Sequence, residues 1–521
     1  MIKESFVFLG VLSFFLLVFV LYWGFTSFEE GDLKKKEGKW PLTIALLIGG
    51  SLLFFPKNTV LSSEFYSPKL ILEFILYSFG EKNAIREDVF VLNRHALPKL
   101  HSSLPKKNQS NILIVRLEEV SSRKVGLYST VKTTPFLSAF QSQYPNNFFV
   151  FQHHFSNSGA TDVSVPILYT GLSPTRSGKE FGFFPIIWDY ARALDYYTFY
   201  IIPFRLSWGS LDKKLAFKEG FFSVNYLFHA GNYNGDYTYD YSLHDDIVVE
   251  QCIRQLSEAK KYEKLFFGIV NIKLPHRFGK HLRQIKHQRV PHMPGDPPVH
   301  LYERAIYDND YQFMKLFLAL EKEKLLENTI VIAVSDHGSD LNMRRDRLLN
   351  YFQEVLHVPF FVYLPDQFVD WLSKNRRGWQ ENLSKPSNNV DLVPSVIDVL
   401  GISDQKPISF ILDQLDGRSV FSDASATPFF VALNTNALRR WQPEGFSVIL
   451  DGRYKYILDE NRPYLFDLNR DPNENHNMMT MPQIAMQPFY KRIHAYIRQT
   501  PKLREIYAKS FEPKKKYLDA P

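Results

Sequence analysis

Short, β-branched apolar runs recur along this chain, and two of them stop abruptly on acidic residues. Asn111-Ile112-Leu113-Ile114-Val115-Arg116-Leu117 is mostly apolar, the pattern of a buried strand, and Glu118 and Glu119 follow it. Similar runs lie at Phe148 to Phe151, Leu265 to Val270, Thr329 to Val334, Pro359 to Tyr363 and Phe429 to Leu433. Between them are stretches with helical spacing, such as Tyr302 to Leu326, where Ile306, Met314, Leu316, Phe317, Leu320 and Leu325 recur. Strands alternating with helices predict an α/β sheet with helices on both faces. No repeat of a solenoid or propeller kind interrupts this order.

A chain of 521 residues with 45% apolar and 22% charged residues can bury a sizeable core, and its mean hydropathy of -0.21 excludes both a disordered chain and a polytopic membrane protein. The net charge of +7 is small for this length and does not point to nucleic acid. The single cysteine, Cys252, excludes an intramolecular disulfide framework and a cysteine-based metal cluster.

The ends of strands are where open α/β sheets place their sites. Leu117 is followed by Glu118 and Glu119, and Val334 by Ser335, Asp336, His337 and Gly338. Between these lies Ser156-Asn157-Ser158-Gly159-Ala160-Thr161-Asp162-Val163-Ser164-Val165-Pro166, a small and polar stretch. A carboxylate pair, an Asp-His pair and an exposed hydroxyl make a mixed oxygen and nitrogen ligand set. Such a set suits zinc or manganese, with calcium or magnesium as alternatives, and lacks the thiolates of structural zinc sites.

From Asn111 to Asn477 the chain resembles the alkaline phosphatase and sulfatase superfamily, which implies an alkaline phosphatase-like mixed sheet. Asn111 to Glu118 resembles the family's first strand with its metal carboxylate, and Thr134-Pro135-Phe136-Leu137 resembles the start of its next helix. Thr161 through Thr170-Gly171-Leu172-Ser173-Pro174 is similar to the nucleophile segment, and Ser335-Asp336-His337-Gly338 to the second metal motif. Later landmarks match His357-Val358-Pro359, Asn389 to Pro394, Gly401 and Tyr464 to Asp467 with Asp471, Pro472 and Glu474. The resemblance implies Glu118, Asp336 and His337 as metal ligands and Thr161 as both ligand and catalytic nucleophile. It implies a phosphoryl or second-metal contact for His276. Glu119 is open between a first ligand by a one-residue slip, a second-metal ligand and an exposed charge.

The window that carries Cys/Ser-x-Pro-x-Arg in formylglycine sulfatases reads Thr161-Asp162-Val163-Ser164-Val165 here. Thr161 to Pro166 instead resembles membrane-bound phosphoethanolamine transferases, and Leu117-Glu118 resembles lipoteichoic acid synthases. These resemblances imply a metal-dependent enzyme that transfers or hydrolyses a lipid- or glycan-linked phosphoryl ester through threonine. Sulfate ester hydrolysis without formylglycine and a degenerate binding module are the alternatives. Substrate contacts in this superfamily come from variable insertions, here Phe181 to Tyr241 and Gly279 to Val299.

No charge interrupts Ser5 to Phe28, enough for a transmembrane helix, and a second charge-free run, Trp40 to Pro56, is at the short limit. Lys34, Lys35, Lys36 and Lys39 between the two place that loop in the cytoplasm and the remainder outside. The expected organisation is a membrane anchor over 1–60 with one or two transmembrane helices, at about 5–28 and 40–56, the second being a buried or interfacial helix if the chain crosses once, then a juxtamembrane linker over 61–110 with an amphipathic stretch at 69–80, and a catalytic domain over 111–480. A C-terminal helix and basic tail with Lys514 to Lys516 then fill 481–521. The expected partner is the lipid bilayer, and the expected location is the cell membrane with the catalytic domain on the extracytoplasmic side.

Overall fold

The computed structural model describes residues 97–205, 224–232, 242–276, 297–341, 351–423, 428–433, 445–459 and 461–511. All of them lie in the unit that spans 90–521. The helices expected at 5–28 and 40–56, the amphipathic stretch at 69–80, part of the insertion over 181–241, most of the insertion over 279–299 and Lys514 to Lys516 lie outside the described residues. Among the described residues no helix is long and apolar enough to cross a membrane.

The early strands are β1 (Asn111–Leu117), β2 (Phe148–Val150), β3 (His154–Phe155), β4 (Tyr197–Ile201) and β5 (Tyr226–Phe228). They are followed by β6 (Phe266–Ile272), β7 (Thr329–Ser335), β8 (Phe360–Tyr363) and β9 (Ser387–Asn388). Seven of these form one sheet in the order β2-β8-β7-β1-β6-β4-β5. β1 is parallel to both its neighbours, whereas β8 runs antiparallel to β7 and to β2, so the sheet is mixed. β3 and β9 make a separate parallel pair.

β1 shows why this sheet is covered on both faces. Successive side chains of a strand point to opposite faces. Ile112 and Ile114 enter one apolar cluster, and Leu113, Val115 and Leu117 enter another. Helices α1 (Pro135–Gln143), α3 (Asp245–Lys261) and α4 (Pro297–Lys322) supply the second cluster. Helices α2 (Thr161–Thr170) and α5 (Leu392–Val399) supply the first. The expected α/β sheet with helices on both faces is what forms. The helix expected over Tyr302 to Leu326 is α4, shifted toward the N-terminus, and it ends where Lys324 turns left-handed with φ of 56°.

Leu100 and Leu104 join the first cluster, and the Ser103 N–H and hydroxyl both donate to the Gly401 carbonyl, so the chain is docked on the domain before β1 begins. At the far end β10 (Phe429–Ala432), β11 (Gly445–Leu450), β12 (Tyr454–Asp459) and β13 (Arg462–Asp467) form an antiparallel sheet. Where one terminal helix is expected there are two, α6 (Pro488–Gln499) and α7 (Pro501–Phe511). The break falls at Thr500, which is extended because the following proline disfavours the helical region. Ile493, Ile497, Leu503 and Ile506 from these helices pack against Phe446, Val448, Leu458 and Leu465 of the small sheet.

Candidate active site

β1 and β7 lie side by side in parallel, with Arg116 opposite Val334 and Leu117 opposite Ser335. That register makes Glu118 and Asp336 leave the sheet together, although Leu117 and Ser335 are 218 positions apart in sequence. The ladder continues into both: the Asp336 N–H donates to the Leu117 carbonyl at 3.1 Å and the Glu118 N–H to the Ile272 carbonyl of β6 at 2.9 Å. Glu119 then turns sharply with φ of 63°, a left-handed conformation that costs a non-glycine residue roughly 1–2 kcal/mol. Its N–H donates to Asp336 Oδ1 at 3.0 Å, and its carbonyl accepts from the Tyr302 hydroxyl at 2.8 Å, which holds the turn. The His337 N–H also donates to Asp336 Oδ1, at 2.8 Å.

Thr161 is the first residue of α2, so its hydroxyl stands at the positive end of that helix. Thr161 Oγ1 lies 3.1 Å from Glu118 Oε1 and 2.9 Å from His337 Nε2. His337 Nδ1 is 2.8 Å from the Gly338 carbonyl. A carbonyl only accepts, so Nδ1 carries the proton and Nε2 presents a lone pair to Thr161. Gly338 is required there: a Cβ would stand 2.1 Å from the Glu354 carbonyl oxygen.

Behind these groups Arg116 is fully buried, the side chain that ends the otherwise apolar β1 on the α2 face. One guanidinium nitrogen lies 2.9 Å from Asp336 Oδ2 and 3.3 Å from Glu118 Oε2. The other bonds Asn271 of β6. Burial opposes its charge, but Glu118, then Tyr169 and Asp336, outweigh that and raise the Arg116 pKa, so it stays protonated. A second network holds Asp336 from its main chain. Asn389 Nδ2 donates to the Asp336 carbonyl at 3.0 Å, and Asn389 Oδ1 faces His154 Nε2 at 3.0 Å. Nδ1 of His154 lies 2.8 Å from Ser387 Oγ, and burial pushes the His154 imidazole down to about 3.

Among the described residues no three His, Cys, Asp or Glu side chains meet around one point as a finished metal cage. With the hydroxyl included, the donors fit a divalent cation in kind. Thr161 Oγ1 has one proton and faces two acceptors, Glu118 Oε1 and His337 Nε2, so one acceptor pair stays in contact without a hydrogen between. Asp336 Oδ2 is 3.9 Å from His337 Nε2, and Glu118 Oε2 is buried with no hydrogen bond beside its 3.3 Å ion pair with Arg116. Lone pairs crowded in this way are relieved by a cation placed among them.

Four of the sequence candidates, Glu118, Thr161, Asp336 and His337, are thus brought together. Glu119 is buried and not an exposed charge; its Oε1 accepts from Ser339 Oγ at 2.8 Å. His276 follows β6, on the same end of the sheet, and its N–H bonds the Lys273 carbonyl. Sequence reasoning missed Arg116, Asn271 and His154. Arg116 had a signal, as the one charge inside an apolar strand. His154 had none.

A mixed sheet with carboxylates, an imidazole and a helix-initiating hydroxyl gathered at the ends of its central strands is an alkaline phosphatase-like α/β scaffold. The family model for Sulfatase matches residues 110–402, more than half of the chain, and the protein belongs to the sulfatase family. Arylsulfatase K of Rattus norvegicus is 29% identical over 208 residues, which cover 35% of this chain and 33% of that protein. The match therefore spans about a third of the curated relatives' length. The lipoteichoic acid synthase LtaP of Listeria monocytogenes superposes with a TM-score of 0.53 at 15% identity, covering 78% of this chain and 95% of that one. The C-terminal periplasmic domain of EcEptC from Escherichia coli gives 0.50 at 14% identity, covering 68% and 96%. At these identities the likeness is one of fold.

Proposed function

We propose that the protein is a membrane-anchored, divalent-metal-dependent phosphotransferase or phosphodiesterase acting outside the cytoplasm on a lipid- or glycan-linked phosphoryl ester. The observation that carries this reading is the Thr161 hydroxyl at the start of α2, within 3.1 Å of Glu118 and 2.9 Å of His337. A hydroxyl is a weak nucleophile until a neighbouring base takes its proton, and the Glu118 carboxylate is placed to do so. The helix N-terminus favours the anionic phosphoryl group that Thr161 would attack. Glu118, Asp336, His337 and Thr161 would hold zinc or manganese. Such an ion, when bound, supplies positive charge that eases deprotonation of the hydroxyl and offsets charge on the phosphoryl oxygens. The charge-free run from Ser5 to Phe28 and the lysines between 34 and 39 support the anchor and its orientation.

The test is turnover of bis(p-nitrophenyl) phosphate by the zinc- or manganese-loaded protein, with mass spectrometry of Thr161 after incubation with phosphatidylethanolamine vesicles. Phosphodiester cleavage that disappears in Thr161→Ala is expected, with phosphoethanolamine mass added to Thr161 and diacylglycerol released from the vesicles. A second reading, sulfate ester hydrolysis without formylglycine, is favoured by the match to arylsulfatase K. Turnover of p-nitrophenyl sulfate with the phosphodiester inert would establish that reading in place of the first.

A further inference from the structure

We propose that Arg116 is a resident cation of this centre: it holds Glu118 and Asp336 in place without a metal and makes the divalent ion more weakly held and exchangeable. The inference rests on the reading of the site as a metal centre.

Two carboxylates leaving adjacent strands would repel one another in a buried site, and the cost of burying each charge unpaired is large. Arg116 removes that problem from inside the fold. It sits on β1 two positions before Glu118, so the same strand that presents one carboxylate also presents the cation facing it. Its guanidinium reaches Glu118 Oε2 at 3.3 Å and Asp336 Oδ2 at 2.9 Å and is braced from the far side by Asn271. The ring of Phe204 lies 5.8 Å from its carbon centre, so the cation is packed rather than solvated.

Two consequences follow for a divalent ion. An ion held through the Asp336 carboxylate would compete with the Arg116 guanidinium already bonded to it. It also feels the repulsion of a fixed positive charge in a buried setting, where such terms are much stronger than in water. Both lower its affinity. Conversely, an uncharged side chain at position 116 leaves the metal-free site with uncompensated carboxylates, which an incoming ion then relieves.

The experiment measures zinc affinity of the full chain by competition with a chromogenic chelator, and Tm with and without EDTA, for wild type, Arg116→Met, Arg116→Gln and Arg116→Lys. All are purified with zinc present so that the variants fold around the ion. Arg116→Met and Arg116→Gln should bind zinc about ten-fold or more tightly than wild type, and their Tm should fall further on EDTA treatment. Arg116→Lys, which keeps the charge, should stay within about three-fold of wild type. Wild type that binds zinc while the Met and Gln variants bind it equally or more weakly would overturn this inference and leave the proposed function standing. Wild type that takes up no divalent ion would sink both.

Discussion

Glu118 and Asp336 share one guanidinium nitrogen: Arg116 Nη1 lies 3.3 Å from a carboxylate oxygen of the first and 2.9 Å from one of the second. Removing one partner of a fully buried pair leaves the others uncompensated. Asp336→Asn should therefore lower unfolding free energy by about 3 kcal/mol, since Arg116 loses its closest anion. Urea unfolding of the metal-free protein checks this, and a change under about 1 kcal/mol would contradict the ion pair.

Thr161→Ala should reduce phosphodiester turnover by at least about a thousand-fold while leaving Tm within a few degrees of wild type. Thr161→Ser should keep measurable turnover, because the oxygen remains at the start of α2. Equal activity in wild type and the alanine variant would remove Thr161 from the chemistry.

The His154 pKa is depressed to about 3 by burial, below an unfolded value of about 6.5. For a depressed pKa the stabilisation is present above the unfolded value and is lost as pH falls from there toward the folded one. Stability should thus drop by about 2 kcal/mol from this residue between pH 7.5 and 5.0. His154→Gln, an amide that takes up no proton, should show a correspondingly smaller drop in denaturant titrations at the two pH values. An equal drop in both proteins would assign the acid sensitivity elsewhere.

Gly338→Ala would place a methyl group 2.1 Å from the Glu354 carbonyl oxygen, on backbone rather than on a side chain that can swing away. The Gly338 N–H bond to the Val355 carbonyl at 2.7 Å would be lost or stretched. A destabilisation of about 2 kcal/mol or more is expected, with His337 displaced, so metal affinity should fall in the same variant. Calorimetry and chelator competition read the two effects together.

Ile497→Ala, in the buried face of α6 against the small sheet, should cost about 2–5 kcal/mol without altering zinc affinity, because that face is separate from the ends of β1 and β7. A change in affinity alongside the loss of stability would show that the two sheets are coupled.

Local sequence was enough to place β1, β2, β6, β7, β8 and β10, six of the thirteen described strands, and the residue types of the site. β1, β6, β7 and β8 were legible because short β-branched or aromatic apolar runs that bury both faces leave little other choice, and Glu118, Asp336 and His337 were legible because polarity switches at the strand end. The break at Thr500 was also present locally in Pro501, though it needed the backbone to show that the helix truly stops there. What the chain could not state by itself was which strands stand next to each other. The parallel pairing of Leu117 with Ser335 decides that Glu118 meets Asp336, and the docking of α2 decides that Thr161 reaches both Glu118 and His337. Arg116 marks the boundary between the two: its charge is visible in sequence as an anomaly, but its meaning depends on carboxylates from two strands, and such distances are set only when long-range packing closes the sheet.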